Sequence, residues 1–182
     1  MGTTMKWWMC GVFFSLFTLS LNAFDINKPE SKEFFIAYGR DGHLKKSNQY
    51  IHYTAGVDLC YPMPLEGMQF QLEPFFSFVP LPEVAAEAGL VFFIKYTVPI
   101  KSPVKPYVRG GSGVILLSRE TEEQSSLFDF ASQMGLGVSI DIWGERSLLL
   151  EYRYRHVSNC DLKHPNSGID SYIWVLGCGS PF

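Results

Sequence analysis

The segment from Glu151 to Tyr172 reads EYRYRHVSNCDLKHPNSGIDSY. It holds a histidine and a serine with one residue between them, His156 and Ser158, and acids further on at Asp161 and Asp170. These residue types suit nucleophilic acyl transfer. A hydroxyl is a weak nucleophile until a base takes its proton, imidazole can do so near neutral pH, and a carboxylate can hold the imidazole in one tautomer. On an extended strand the two-residue spacing sends both side chains to one face. Pro165-Asn166-Ser167-Gly168 is strong turn chemistry, so 157–169 is expected to be a loop, shaped by Asn166, that returns the chain toward His156. A histidine and a serine at a strand end are ordinary surface residues on their own, so the pattern depends on the elements that hold it.

Those elements read as strands. From Ser126 to Ile142, Phe128, Phe130, Ser132, Met134, Leu136, Val138, Ile140 and Ile142 alternate with Asp129, Ala131, Gln133, Gly135, Gly137, Ser139 and Asp141. One face is oily and the other small or polar. From Ser147 to His156, Leu148, Leu150, Tyr152 and Tyr154 oppose Glu151, Arg153 and Arg155. Three charges on one face suit the polar lumen of a small barrel, where they can pair. The turn Trp143-Gly144-Glu145-Arg146 joins the two as a hairpin. Further runs at 33–41, 49–59, 68–79, 84–98, 104–117 and 168–182 bring the total to eight, an even number as in bacterial single-chain barrels. The terminal Phe182 agrees with an outer-membrane barrel. The predicted fold is all-β, an eight-stranded antiparallel transmembrane β-barrel of the outer membrane.

Parity then places the chemistry. His156 continues the oily face of Tyr152 and Tyr154, Ser158 does so too if the strand stays extended, and Asp170 shares parity with Tyr172, Trp174 and Leu176. With the amino terminus in the periplasm, the seventh strand runs outward, so His156 lies at its outer end and Asp170 at the outer start of the eighth. A charge on the lipid face costs only about 0–1 kcal/mol near the interface. Three polar groups gathered there call for an explanation, and a lipid substrate supplies one.

The chain has 182 residues, one domain's worth, with 47% hydrophobic, 15% aromatic and 18% charged residues. A net charge of −3 argues against nucleic acid as a partner. Lys6 followed by the apolar run Trp7 to Leu21 reads as a signal peptide over 1–23, ending at Ala23, with 24–182 as a single barrel domain. No later run is long enough for a membrane-spanning helix. Cys60, Cys160 and Cys178 lack zinc-site spacing, so no metal is expected, nor any cofactor. Their pairing stays open between one disulfide and three thiols. His43, His52 and His164 are expected to be solvated or structural.

The combination of His156-Val157-Ser158-Asn159 with Pro165-Asn166-Ser167-Gly168 and Asp170 resembles the signature of the outer-membrane lipid A 3-O-deacylases, the PagL family. Tyr107 to Gly113 and Gly135-Leu136-Gly137 are similar to that family's glycine-rich strands. The likeness is strongest in the last third of the chain. It implies Ser158 as nucleophile, His156 as general base and Asp170 as the histidine's orienter, acting on an ester-linked acyl chain of lipid A in lipopolysaccharide. The tetrahedral oxyanion needs donors. Backbone amides at Asn159 and Cys160 are the candidates; the Asn159 side chain either donates as well or braces the loop, and the Asn166 side chain holds the loop in shape. The family pattern has Glu where this chain has Asp170, one methylene shorter, and the role is expected to survive with a small shift in geometry. Asp161 is the rival acid. A phospholipase-type esterase would use the same residues. A non-enzymatic small barrel would tolerate loss of Ser158, and a soluble lipid-binding barrel would need an oilier lumen. The sequence leaves the oligomeric state, a homodimer included, open.

Overall fold

A computed structural model describes residues 28–42, 49–121 and 123–182. The expected signal peptide and His43 lie outside the described residues. Eight strands follow one another: β1 (Ser31–Asp41), β2 (Ile51–Pro62), β3 (Met68–Leu81), β4 (Ala85–Thr97), β5 (Val104–Leu117), β6 (Phe128–Asp141), β7 (Ser147–Ser158) and β8 (Ile169–Pro181). Each pairs antiparallel with its neighbour in sequence, and β1 closes on β8, so the barrel has no edge. Closure is what lets strands cross a bilayer, because every ladder donor and acceptor is satisfied within the sheet. The predicted strands match these within a few residues. The largest difference is at β2, which starts at Ile51 rather than 49 and runs on to Pro62 rather than 59, while β7 continues past His156 to Ser158.

The outside is apolar, with Phe34, Ile36, Phe76, Leu136, Leu150 and Trp174 all exposed. The inside is filled by charge. Arg109 stands at its centre, its Nη1 3.1 Å from both Asp58 oxygens, its Nη2 3.1 Å from Glu73 and its Nε 2.8 Å from Glu151. Arg153 reaches the same Glu73 at 2.8 Å and Glu151 at 2.6 Å. Arg155 pairs with Glu87 at 2.9 Å, and Lys95 with Glu33 at 2.6 Å. Glu151, Arg153 and Arg155 therefore pair inside the barrel as their parity predicts. Gly135 and Gly137 leave the wall bare where Glu151 and Tyr107 cross it. His52 is structural, fully buried with Nδ1 3.0 Å from Thr54 Oγ1. No disulfide joins Cys60, Cys160 and Cys178.

The two rims differ. At one rim the turns span 63–67, 98–103 and 142–146; at the other are 42–50, 118–127 and 159–168, each longer than any of these, and the short 82–84. Short turns mark the periplasmic side and longer loops the outside. About 9–11 strand residues cross the hydrocarbon. Counting outward from Ser147, the twelve-residue β7 reaches the outer interface at about His156.

Breaking a buried ion network by removing one partner strands the remaining charges. Arg109→Ala is expected to destabilise the folded barrel by about 3–5 kcal/mol, read as a lower urea midpoint for unfolding from micelles. An unchanged midpoint would show that the network adds nothing to stability.

Candidate active site

Strands β7 and β8 bring the polar residues together by register. His156 is the direct cross-strand partner of Asp170, one step outward from Tyr154 and Tyr172. His156 Nδ1 and Asp170 Oδ1 are 2.7 Å apart, and both side chains are about two-fifths exposed on the outer face. Ser158 ends β7 on the same face, opposite Phe130 of β6. With Nδ1 bonded to Asp170, the ring nitrogen left for a serine proton is Nε2. The rival acid lies elsewhere: Asp161 accepts from Asn166 Nδ2 at 2.9 Å, in the loop.

The loop that follows is braced from inside. Asn159 is fully buried, and its backbone amide donates to Asn166 Oδ1 at 3.2 Å. Its side-chain nitrogen donates to the Lys163 carbonyl at 2.8 Å. The Asn159 amide, considered above as an oxyanion donor, thus has Asn166 Oδ1 as a partner. Cys160 and Asp161 are exposed at the turn, both in the left-handed region with φ of 54° and 63°, and Leu162 N closes it onto the Asn159 carbonyl at 3.1 Å.

Two sets of contacts were not foreseen from the sequence. Gln124, in the connection between β5 and β6, donates to Asn166 Oδ1 at 2.9 Å, and Ser125 N donates to the Pro165 carbonyl at 3.2 Å. These tie two outer loops together. No local pattern marks a loop glutamine for this. The other is the Tyr154 hydroxyl, which donates to Asp170 Oδ1 at 2.6 Å. Its signal was present, since Tyr154 shares the face of His156 one step inward. Tyr172 and Trp174 are exposed and form a row with Tyr152: Tyr152 stacks on Tyr172 at 5.9 Å and 7° and meets Trp174 at 4.8 Å. Lys163 extends to Glu120 at 2.7 Å, a solvated loop pair. His164 is exposed in the same loop.

A closed eight-stranded barrel, oily outside and ion-paired inside, defines a bacterial outer-membrane protein, here one with a histidine–carboxylate pair on its lipid-facing rim. The profile of the family described as Lipid A 3-O-deacylase (PagL) matches residues 38–178, which include His156, Ser158 and Asp170. The chain belongs to this family. Among solved structures, the outer membrane enzyme PagL matches with a TM-score of 0.65 at 18% identity, over 80% of this chain and 97% of that one. Neisserial surface protein A matches with a TM-score of 0.62 at 16% identity, over 85% and 98%. At such identities the likeness speaks for the fold. Comparison with curated proteins gives no match.

Gly168 sits at φ +79°, and a Cβ there would lie 2.7 Å from His156 Cε1. Gly168→Ala therefore combines backbone strain with displacement of the imidazole. Fatty-acid release from lipid A in micelles is expected to fall at least about tenfold, the equivalent of roughly 1.4 kcal/mol, with the barrel still folded. Full activity would mean that the ring position is not critical.

Proposed function

We propose that this chain hydrolyses the 3-O ester of lipid A as a serine esterase, with Ser158 as nucleophile, His156 as general base and Asp170 as the group that orients the imidazole. The observation that carries this reading is the 2.7 Å contact between Asp170 and His156 Nδ1, on the lipid face at the outer rim, with Ser158 next on that face. Lipid A ester bonds lie at this depth, between acyl chains and sugar.

The chemistry follows from the residues. His156 Nε2 takes the Ser158 proton as Oγ attacks the acyl carbonyl. Asp170 stabilises the imidazolium that forms. The oxyanion that forms needs hydrogen-bond donors, and the backbone amide of Cys160, two residues past Ser158, is the candidate. Collapse expels the sugar hydroxyl, which takes the proton from His156, and leaves an acyl-serine. Water, deprotonated by the same imidazole, then releases the fatty acid. A shorter acid than the family's Glu suffices, since Asp170 already sits at hydrogen-bond distance from the ring.

A phospholipid ester is the second reading, because the same three groups and the same membrane depth would serve it. The family match favours lipid A.

Mass spectrometry of lipid A from cells expressing the chain tests the proposal. The intact protein is expected to remove one hydroxyacyl group, while Ser158→Ala and His156→Ala leave lipid A unchanged in a folded, heat-modifiable barrel. Asp170→Asn should cut turnover by orders of magnitude, as loss of a triad acid does, and Asp161→Asn far less. Hydrolysis surviving in Ser158→Ala would end the serine mechanism. Greater sensitivity at Asp161 would move the acid to that residue.

A further inference from the structure

Asp170 has an uncommon setting for a triad acid. It lies on the outside of the protein with its side chain two-fifths exposed, so close packing does not fix its rotamer. What meets it is a second donor. The Tyr154 hydroxyl and His156 Nδ1 reach the same oxygen, Oδ1, at 2.6 and 2.7 Å. Two hydrogen bonds from different directions on one carboxylate oxygen restrict rotation about both side-chain torsions.

Tyr154 is itself held. Its ring packs on Tyr172 at 5.8 Å and 51°, and Tyr172 stacks on Tyr152. A tyrosine has two side-chain torsions, so fixing the ring fixes the direction of its hydroxyl. Register supplies the reach, because Tyr154–Tyr172 and His156–Asp170 are successive same-face pairs of one ladder. Among the described residues, the neighbouring Tyr152 and Tyr172 contribute ring contacts but no side-chain hydrogen bond. Tyr154 alone of this row spends its hydroxyl on the acid. On a lipid-facing surface charged and polar contacts are less screened than in water.

We propose that Tyr154 is a positioning residue for the hydrolysis: its hydroxyl holds the Asp170 carboxylate in the orientation that receives His156. This rests on the serine-esterase reading above. The ring belongs to the apolar row along which an acyl chain would lie, and the hydroxyl belongs to the catalytic pair. One side chain therefore joins the seat of the lipid to the acid.

The test uses the full barrel, refolded in detergent micelles with lipid A as substrate. Tyr154→Phe keeps the ring and removes only the hydroxyl. Its kcat is expected to fall about tenfold, the scale of one hydrogen bond to a charged group, with KM within about twofold because uniform binding is untouched. Tyr154→Leu, which also removes the ring, should raise KM in addition. Tyr53→Phe, on β2 away from the site, serves as the control with unchanged kinetics. A structural role alone would not alter the His156–Asp170 proton, so the same variants are examined by nitrogen-15 NMR of labelled histidine. The downfield ring N–H resonance, assigned by its loss in His156→Gln, is expected to move in Tyr154→Phe, where Asp170 loses its competing donor. Wild-type kcat with an unmoved resonance in folded Tyr154→Phe overturns the proposal. Hydrolysis persisting in Ser158→Ala would instead overturn the serine mechanism, while the resonance would still decide whether Tyr154 governs the pair.

Discussion

Everything in this molecule depends on one constraint: a bilayer offers no hydrogen bonds to a strand. Eight strands resolve it by closing on themselves, β1 on β8, so that no ladder group faces lipid unpaired. Closure leaves each side chain with two destinations, and alternation along the strand decides between them. On β7, Glu151, Arg153 and Arg155 go inward to their partners, while Tyr152, Tyr154 and His156 go outward. The lumen network around Arg109 and the lipid-facing rim are two consequences of a single period.

The same constraint limits where chemistry can sit. A polar side chain on the outer face is costly near the midplane and nearly free at the interface. His156, Ser158 and Asp170 satisfy this by standing at the outer ends of β7 and β8, where the strands leave the hydrocarbon. The barrel serves as a depth gauge. It fixes the height of the polar rim by strand length alone, and that height matches the boundary between acyl chain and sugar in a lipid of the outer leaflet. A soluble esterase must draw its substrate out of the membrane, whereas in the proposed reading the substrate ester and the three polar side chains share one plane.

Much of this was legible in the sequence, because it follows from periodicity. Strand number, strand order, the inward pairing of Arg153 and Arg155, and the common face of His156 and Asp170 need only the two-residue repeat and the count of turns. The Pro165 to Gly168 turn marked the returning loop. What could not be read were contacts between elements far apart in sequence. Gln124 braces Asn166 from another loop, and β7 runs on to Ser158 because Phe130 of β6 pairs with it there. The Asn159 amide looked available for an oxyanion until the fold gave it Asn166 as a partner. Period-two arguments assign faces, and they say nothing about which loop folds over which.

The division of labour around Asp170 follows from its exposure. In an enzyme whose triad is buried, packing holds the acid and desolvation strengthens its hydrogen bond. On the outside of a barrel both supports are weakened, because lipid packs loosely and water reaches the interface. The support must then come from the sheet itself, the rigid element at hand. Cross-strand register sets His156 against Asp170, the next pair inward sets Tyr154 against Tyr172, and the aromatic row below locks that pair in place. The loop beyond Ser158 carries no such ladder, which is why it is tied to its neighbour through Gln124, Ser125 and Asn166. Rigidity that a soluble fold takes from its core is taken here from two adjacent strands and one loop-to-loop brace.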